Sequence, residues 1–225
     1  MNNKILVVVA HPDDETLGCG GTIAKHIANG DNLTVMFMTD GVSSRTDKSS
    51  NAGELRHSNA KNAMKILGVA DMHFFNFPDN SMDTVPLIEL VKAIESIIGQ
   101  VKPDTIYTHF AHDLNIDHRL IHSAVMTACR PQKGSSVKNI LSFEVLSSTE
   151  WNSPSQPSFI PQYIIDIDNY WDKKRQALQC YHEELRPFPH SRSDECIEAL
   201  AILRGATHGF KKAEAFYVER ILIAD

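Results

Sequence analysis

Ile5-Leu6-Val7-Val8-Val9-Ala10-His11-Pro12-Asp13-Asp14-Glu15 joins an apolar run to a cluster of charge. An uninterrupted Val/Ile-rich run reads as a strand buried on both faces, as in a parallel sheet. It ends on an imidazole and three carboxylates, and Leu17-Gly18-Cys19-Gly20-Gly21 follows. In open α/β sheets, ligands bind at the carboxyl ends of the strands. Crowding such groups together is costly unless something compensates them, and a cation is the simplest compensation.

Outward from this stretch, strand and helix patterns alternate. Lys4 to Ala10 is the first predicted strand, and Gly18 to Asn29 a helix stopped by Gly30. Leu33 to Met38 is a second strand, ending in the turn Thr39-Asp40-Gly41. Residues 42 to 53 form a polar loop. A helix over Glu54 to Leu67, a strand over His73 to Phe77 and the turn Pro78-Asp79-Asn80 come next. A helix over Val85 to Ile98 leads to a strand over Thr105 to Thr108, the His-rich segment 109 to 122 and a helix over Arg119 to Cys129. This β-α-β-α order with short connections predicts an α/β fold with a doubly wound, mostly parallel sheet. The strand ends carry His11 to Glu15, Asp40, Asp79 and His109 to His118, which should converge at one rim. Beyond residue 130 the pattern changes. Strands are expected over Leu141 to Leu146, Gln162 to Ile167 and Glu214 to Leu222, and helices over Tyr170 to Tyr181 and Asp194 to Arg204. Arg186-Pro187-Phe188-Pro189-His190 reads as an extended connector. The whole chain, 1–225, is expected to form a single domain whose C-terminal third walls one side of the rim.

The chain has 225 residues, enough for a sizeable core. Its net charge of −6 and pI near 6.0 offer no basic excess for a nucleic-acid backbone, so no nucleic-acid partner is expected. No stretch approaches the roughly 20 apolar residues that span a bilayer, so no membrane insertion is expected. The four cysteines, Cys19, Cys129, Cys180 and Cys196, form no C-x-x-C pair and read as reduced thiols of a cytoplasmic protein. Homo-oligomerisation is left open.

His11 and Asp14 lie three residues apart on a segment leaving a strand, so both can face one point. Asp117-His118, after the fourth predicted strand, can supply a third ligand. Two histidines and a carboxylate leave open positions on a catalytic metal. The same set suits Zn2+ or Fe2+. Such an ion acidifies water and polarises a carbonyl, and Asp13 stands beside the ligands to take the proton. The competing interpretation is that Asp13, Asp14 and Glu15 cap the next helix.

With these motifs the chain resembles the LmbE / PIG-L family of metal-dependent N-deacetylases. That family opens with a strand and His-Pro-Asp-Asp-Glu, here His11 to Glu15. It carries a second motif ending in Asp-His, here Asn115-Ile116-Asp117-His118. Thr39-Asp40-Gly41, Arg56 and Ala213-Glu214-Ala215-Phe216 extend the resemblance over nearly the whole chain. It implies an LmbE-like fold, a Rossmann-like three-layer sandwich. It also implies zinc held by His11, Asp14 and His118, with Asp13 as general base and Asp117 as a partner that orients the site. The implied reaction is hydrolysis of an N-acetyl group on an amino sugar, free or as a glycoside or nucleotide conjugate. Well-known members have His where this chain has Asn115. An amide can donate to an oxyanion but delivers no proton. The acid is then His112, His109 or His190, or Asp13 in a dual role, which ranks first.

Arg56, Asp79, His190 and Arg204 are candidate substrate contacts. Each has an ordinary alternative: a surface charge, a turn former, a helix cap. Gly18-x-Gly20-Gly21 is an incomplete dinucleotide fingerprint and reads better as close helix–strand packing. No Gly-x-Ser-x-Gly elbow is present. Two other functions remain open: a metal-dependent amidase on another acyl amine, and a non-catalytic nucleotide binder.

Overall fold

Alternate side chains of the first strand, β1 (Lys4–Val9), enter two separate cores, which fixes the layering. Ile5, Val7 and Val9 pack into one, and Leu6, Val8 and Ala10 into the other. The computed structural model describes residues 2–39, 41 and 52–223. The turn residue Asp40 and residues 42–51 of the expected polar loop lie outside these.

After β1 the chain runs through α1 (Asp14–Ala28), β2 (Asn32–Thr39), α2 (Ala52–Leu67), β3 (Asp71–Phe77), α3 (Leu87–Val101), β4 (Thr105–His109) and α4 (Ile116–Ala128). It continues with β5 (Asn139–Phe143), β6 (Tyr163–Asp166), α5 (Trp171–Gln179), α6 (Asp194–Ala206) and β7 (Ala213–Ile221). The seven strands form one sheet in the order β3-β2-β1-β4-β5-β7-β6. β1 to β5 pair in parallel, while β7 runs antiparallel to both β5 and β6. Helices α1, α2, α5 and α6 bury apolar residues against one face, and α3 and α4 against the other. The result is a three-layer, mostly parallel α/β fold, as the strand–helix alternation predicts. The strand order reverses between β1 and β4, and crevices open at such switch points. There the segment after β1 meets the segment after β4.

Three local departures from the sequence expectation shape the site. First, α1 starts at Asp14, not Gly18, and its helical geometry breaks at Cys19 (φ −146°, ψ 24°). Asp14 and Glu15 suit a first turn because carboxylates favour the positive end of the helix dipole. At the break, the amides of Gly21 and Thr22 donate to the buried Glu214 carboxylate at 2.9 and 2.7 Å. Lys174 Nζ neutralises that carboxylate at 2.6 Å. The glycines serve packing: a Cβ on Gly18 would lie 2.2 Å from the Phe143 ring, and one on Gly21 2.8 Å from Ile167. Second, β5 stops at Phe143, before the expected Leu146. Val145 N donates to Thr149 Oγ1 and accepts the Thr149 amide on its own carbonyl, turning the chain back towards the rim. Third, the segment 186–190 is not extended. His190 N donates to Pro187 O, Ser193 N to His190 O and Arg186 N to Arg192 O, so the chain doubles back and delivers Arg192 to the rim.

Candidate metal centre and active site

Three donor atoms meet in the crevice at the switch point. His11 Nδ1 lies 3.2 Å from Asp14 Oδ2, and His118 Nε2 lies 3.3 Å from both. All three residues are buried. Ligands at the roughly 2.0–2.1 Å bond lengths of a tetrahedral zinc stand about 3.3 Å apart, so the triangle fits such an ion. Asp14 Oδ1 is buried with no hydrogen-bond partner, an orphan that a cation would satisfy. The cluster reflects local chain geometry. His11 follows directly on β1 and Ala10, and Asp14 opens α1. His118 lies in the first turn of α4, whose amino end reaches the same rim.

Carboxylates stand behind both imidazoles. His11 Nε2 lies 3.0 Å from Asp117 Oδ2 and 3.3 Å from Asp79 Oδ1. His118 Nδ1 lies 3.1 Å from Asp113 Oδ1. A proton held on those far nitrogens leaves His11 Nδ1 and His118 Nε2 free to ligate, the usual carboxylate–histidine–metal arrangement. Asp117 is itself held by the amides of Asn80 (2.6 Å) and Met82 (3.1 Å). Asp113 accepts from the Ser148 hydroxyl, from Thr149 Oγ1 at 2.6 Å and from Asn115 N at 2.9 Å. Truncating such outer partners weakens metal binding about 10–100-fold. Asp117→Ala should therefore lose that much zinc affinity in competition with a chromogenic chelator; unchanged affinity would remove Asp117 from the metal's support.

His109 stacks on His118 at 3.9 Å and 15°, fully buried. Its Nε2 accepts the Ala10 amide at 2.9 Å, so its proton sits on Nδ1, where no partner meets it. Burial, reinforced by His118, holds its pKa well below the ordinary histidine value. His109 thus packs neutral against a ligand ring. Burial pulls His11 and His118 downwards too, but the carboxylates win. Chiefly Asp117 and Asp14 lift His11 to about 10, and Asp14 and Asp113 lift His118 to about 9. Burial pushes Asp14 up, yet His118 and His11 hold it well below the carboxylate range. Without a cation, the carboxylates around the triangle favour the charged form of both imidazoles.

Asp13 sits beside the triangle in a backbone conformation rare outside glycine, φ 125°. Its amide donates to Glu15 Oε2 at 3.0 Å, and Glu15 Oε1 accepts from Tyr181 Oη at 2.8 Å and Thr16 Oγ1 at 2.6 Å. Glu15 is fully buried, which raises its pKa to about 7. As for helix capping, Asp13 makes no side-chain cap bond to α1. Its Oδ2 accepts instead from Arg192 (3.0 Å) and Arg56 (3.3 Å). Arg56 also donates to Glu184 at 2.7 Å. Burial raises the Asp13 pKa against the lowering pull of Arg192 and Arg56.

A polar cavity opens beside the triangle, lined by His11, Asp13, Gly41, Arg56, Asp79, Asn80, Asn115, Glu184 and Arg192. Asn115 also caps α4, its Oδ1 accepting from Asp117 N at 2.8 Å, while its Nδ2 donates to Asn80 at 3.0 Å. Two candidate substrate contacts lie elsewhere. Arg204 pairs with Glu144 at 2.8 Å through both Nε and Nη2, lining a different cavity against α6 and β7. His190 accepts the Arg192 amide at 3.0 Å and meets the Trp151 ring at 5.3 Å. Neither His190, His112 nor His109 lines the polar cavity. Conversely, Asp113, Glu184 and Arg192 enter the site without any spacing signal in the sequence.

A doubly wound sheet with a buried His/Asp/His triangle and a neighbouring carboxylate at its switch point is the architecture of an α/β enzyme. The chain belongs to the PIG-L (LmbE) family of N-deacetylases: the model of that family, described as GlcNAc-PI de-N-acetylase, matches residues 6–129. An uncharacterized deacetylase of Escherichia coli K12, YaiS, is 33% identical over 181 residues, covering 78% of this chain and 88% of its own. The diacetylchitobiose deacetylase of Thermococcus kodakarensis is 24% identical over 221 residues, covering 94% of this chain and 81% of its own. The crystal structure of GalB, a 4-carboxy-2-hydroxymuconate hydratase of Pseudomonas putida, superposes with a TM-score of 0.80 at 22% identity, over 100% of this chain and 99% of that one. This likeness shows the fold alone, and a fold that hosts a hydratase leaves the chemistry to be argued from the site. No helix among the described residues is long and apolar enough to cross a membrane.

Proposed function

We propose that this enzyme is a zinc-dependent hydrolase that removes the N-acetyl group of an amino sugar, free or as a glycoside or nucleotide conjugate. The observation that carries this reading is the triangle of His11 Nδ1, Asp14 Oδ2 and His118 Nε2, with His11 and the neighbouring Asp13 lining one polar cavity. These three residues would hold the zinc, with Fe2+ as the alternative for the same ligand set. When bound, the ion supplies Lewis acidity, which acidifies water and polarises an amide carbonyl.

The remaining work falls to the chain's own side chains. Both arginines engage Asp13 Oδ2, and no described residue bonds Oδ1. Oδ1 is therefore the oxygen that takes the proton of the attacking water. As the C–O bond forms and the C–N bond breaks, the same oxygen hands that proton to the departing nitrogen, giving acetate and an amine. Asp13 in both roles fits the cavity better than a histidine acid, since His109, His112 and His190 do not line it. Asn115 Nδ2 has a second hydrogen to offer a developing oxyanion. Asp117 orients His11. Arg56 is committed to Asp13 and Glu184, and serves the base more than the sugar. Asp79 is the better sugar contact of the two. His190 and Arg204 lie outside the lining of this cavity. The free cysteines suit a reducing compartment such as the cytoplasm.

Amine release over a panel of N-acetyl sugars and other acyl amines, with zinc-loaded protein, tests this reading. Release from N-acetyl sugars should vanish with chelator and return with zinc. Release only from other acyl amines would make the enzyme an amidase of different substrate, and release from none of them would overturn the reading.

A further inference from the structure

We infer that Arg192, braced by Glu184, is a positioning residue for the base: it fixes the Asp13 carboxylate so that Oδ1 alone faces the reacting water. The inference rests on the proposed role of Asp13. Arg192 Nη1 donates to Asp13 Oδ2 at 3.0 Å, closer than Arg56 at 3.3 Å. The guanidinium is pinned at its other side, where Nε donates to the Leu146 carbonyl at 3.2 Å. Glu184 Oε2 stands 3.7 Å from Nη1, and Glu184 Oε1 holds Arg56 at 2.7 Å. One carboxylate thus spaces two guanidinia that converge on a single oxygen of another.

The geometry separates this from an ordinary ion pair. Asp13 already carries the strained φ of 125°. Its carboxylate is free to turn about its own side-chain torsions unless an outside group fixes it. Among the described residues, no other side chain except Arg56 reaches that oxygen. Arg192 is also supplied by a segment remote in sequence, through the turn closed by Arg186 N to Arg192 O. The C-terminal third therefore sets the aim of a residue in the first motif.

Arg192 lines the cavity as well, so a substrate-binding role is the rival, and the two separate in kinetics. A reacting group misplaced by roughly 1 Å loses about 10²-fold in rate. Arg192→Gln, zinc-loaded and assayed on N,N'-diacetylchitobiose, should lose kcat by about that factor with KM nearly unchanged and zinc content at the wild-type level. Arg192→Lys should recover part of kcat, because a lysine reaches one oxygen without the fixed fork. A rise in KM at unchanged kcat would make Arg192 a substrate ligand and overturn the inference. The crystal structure of Arg192→Gln supplies a readout independent of turnover: the Asp13 carboxylate should rotate away from its wild-type position. A carboxylate that stays in place overturns the inference even where no acetyl sugar is a substrate. Wild-type protein inactive on every acetyl sugar, with Asp13 displaced in the variant, would instead count against the proposed reaction while leaving the positioning role intact.

Discussion

Asp13→Asn is expected to bind zinc as tightly as the wild type and to lose turnover by about 10²–10⁴-fold, the usual contribution of a positioned proton acceptor. The metal triangle consists of His11 Nδ1, Asp14 Oδ2 and His118 Nε2, and Asp13 contributes none of its corners. An asparagine keeps the side-chain shape and can present its carbonyl oxygen to Arg56 and Arg192, so the local packing survives. What disappears is a basic oxygen facing the cavity. The loss should fall on kcat, and the metal content, read by elemental analysis, should not move. Retention of full activity would remove Asp13 from proton transfer and return the search to another cavity-lining group. Loss of metal together with activity would move Asp13 into the ligand set.

How much of this site the sequence displays depends on how each residue reaches it. His11, Asp13 and Asp14 are legible because they are contiguous with a strand whose burial on both faces fixes where it ends. His118 is legible because a second strand end carries histidine and aspartate close together. The β-α-β-α order made the parallel sheet and the shared rim an inference from connection lengths. Arg192 and Glu184 had no comparable signal. They arrive through hydrogen-bonded turns within 181–193, on either side of the segment 186–190 that the sequence suggests is an extended connector. Asp113 falls within the His-rich segment 109 to 122, yet its setting is made by Ser148 and Thr149, brought across by the early end of β5. Arg204 is the opposite case: beside a glycine in sequence it suggests an anion contact, while Glu144, sixty residues earlier in the chain, pairs with it. The groups proposed to bind the ion are written locally, whereas those that aim and support them depend on tertiary contacts.

The metal-free protein should lose stability as pH rises above about 6.5, and zinc should rescue it increasingly over the same range. His11 and His118 have folded pKa values raised to about 10 and about 9, above the ordinary value of 6.5. A group raised in the folded state stabilises fully below its unfolded pKa, and that contribution disappears as pH climbs through the folded one. The window for these two is therefore about pH 6.5 to 10. Glu15, raised to about 7 by burial, acts in the same direction from about pH 4.5 upwards. Asp113, lowered to about 2 with His118 beside it, and Asp14 act oppositely, their stabilisation failing as pH falls below about 4. Ligation requires neutral imidazoles, so binding to charged rings releases protons and tightens with pH. In chelator, the thermal midpoint should drop by several degrees between about pH 6.5 and pH 9, given about 2–4 °C per kcal/mol for a chain of this size. With zinc it should drop much less. Calorimetric titrations in buffers of differing ionisation enthalpy should register up to two protons released per zinc near pH 7. A zinc-induced stabilisation independent of pH, with no proton released, would mean that the two imidazoles are already neutral in the metal-free protein. The carboxylates behind them would then orient the rings without charging them.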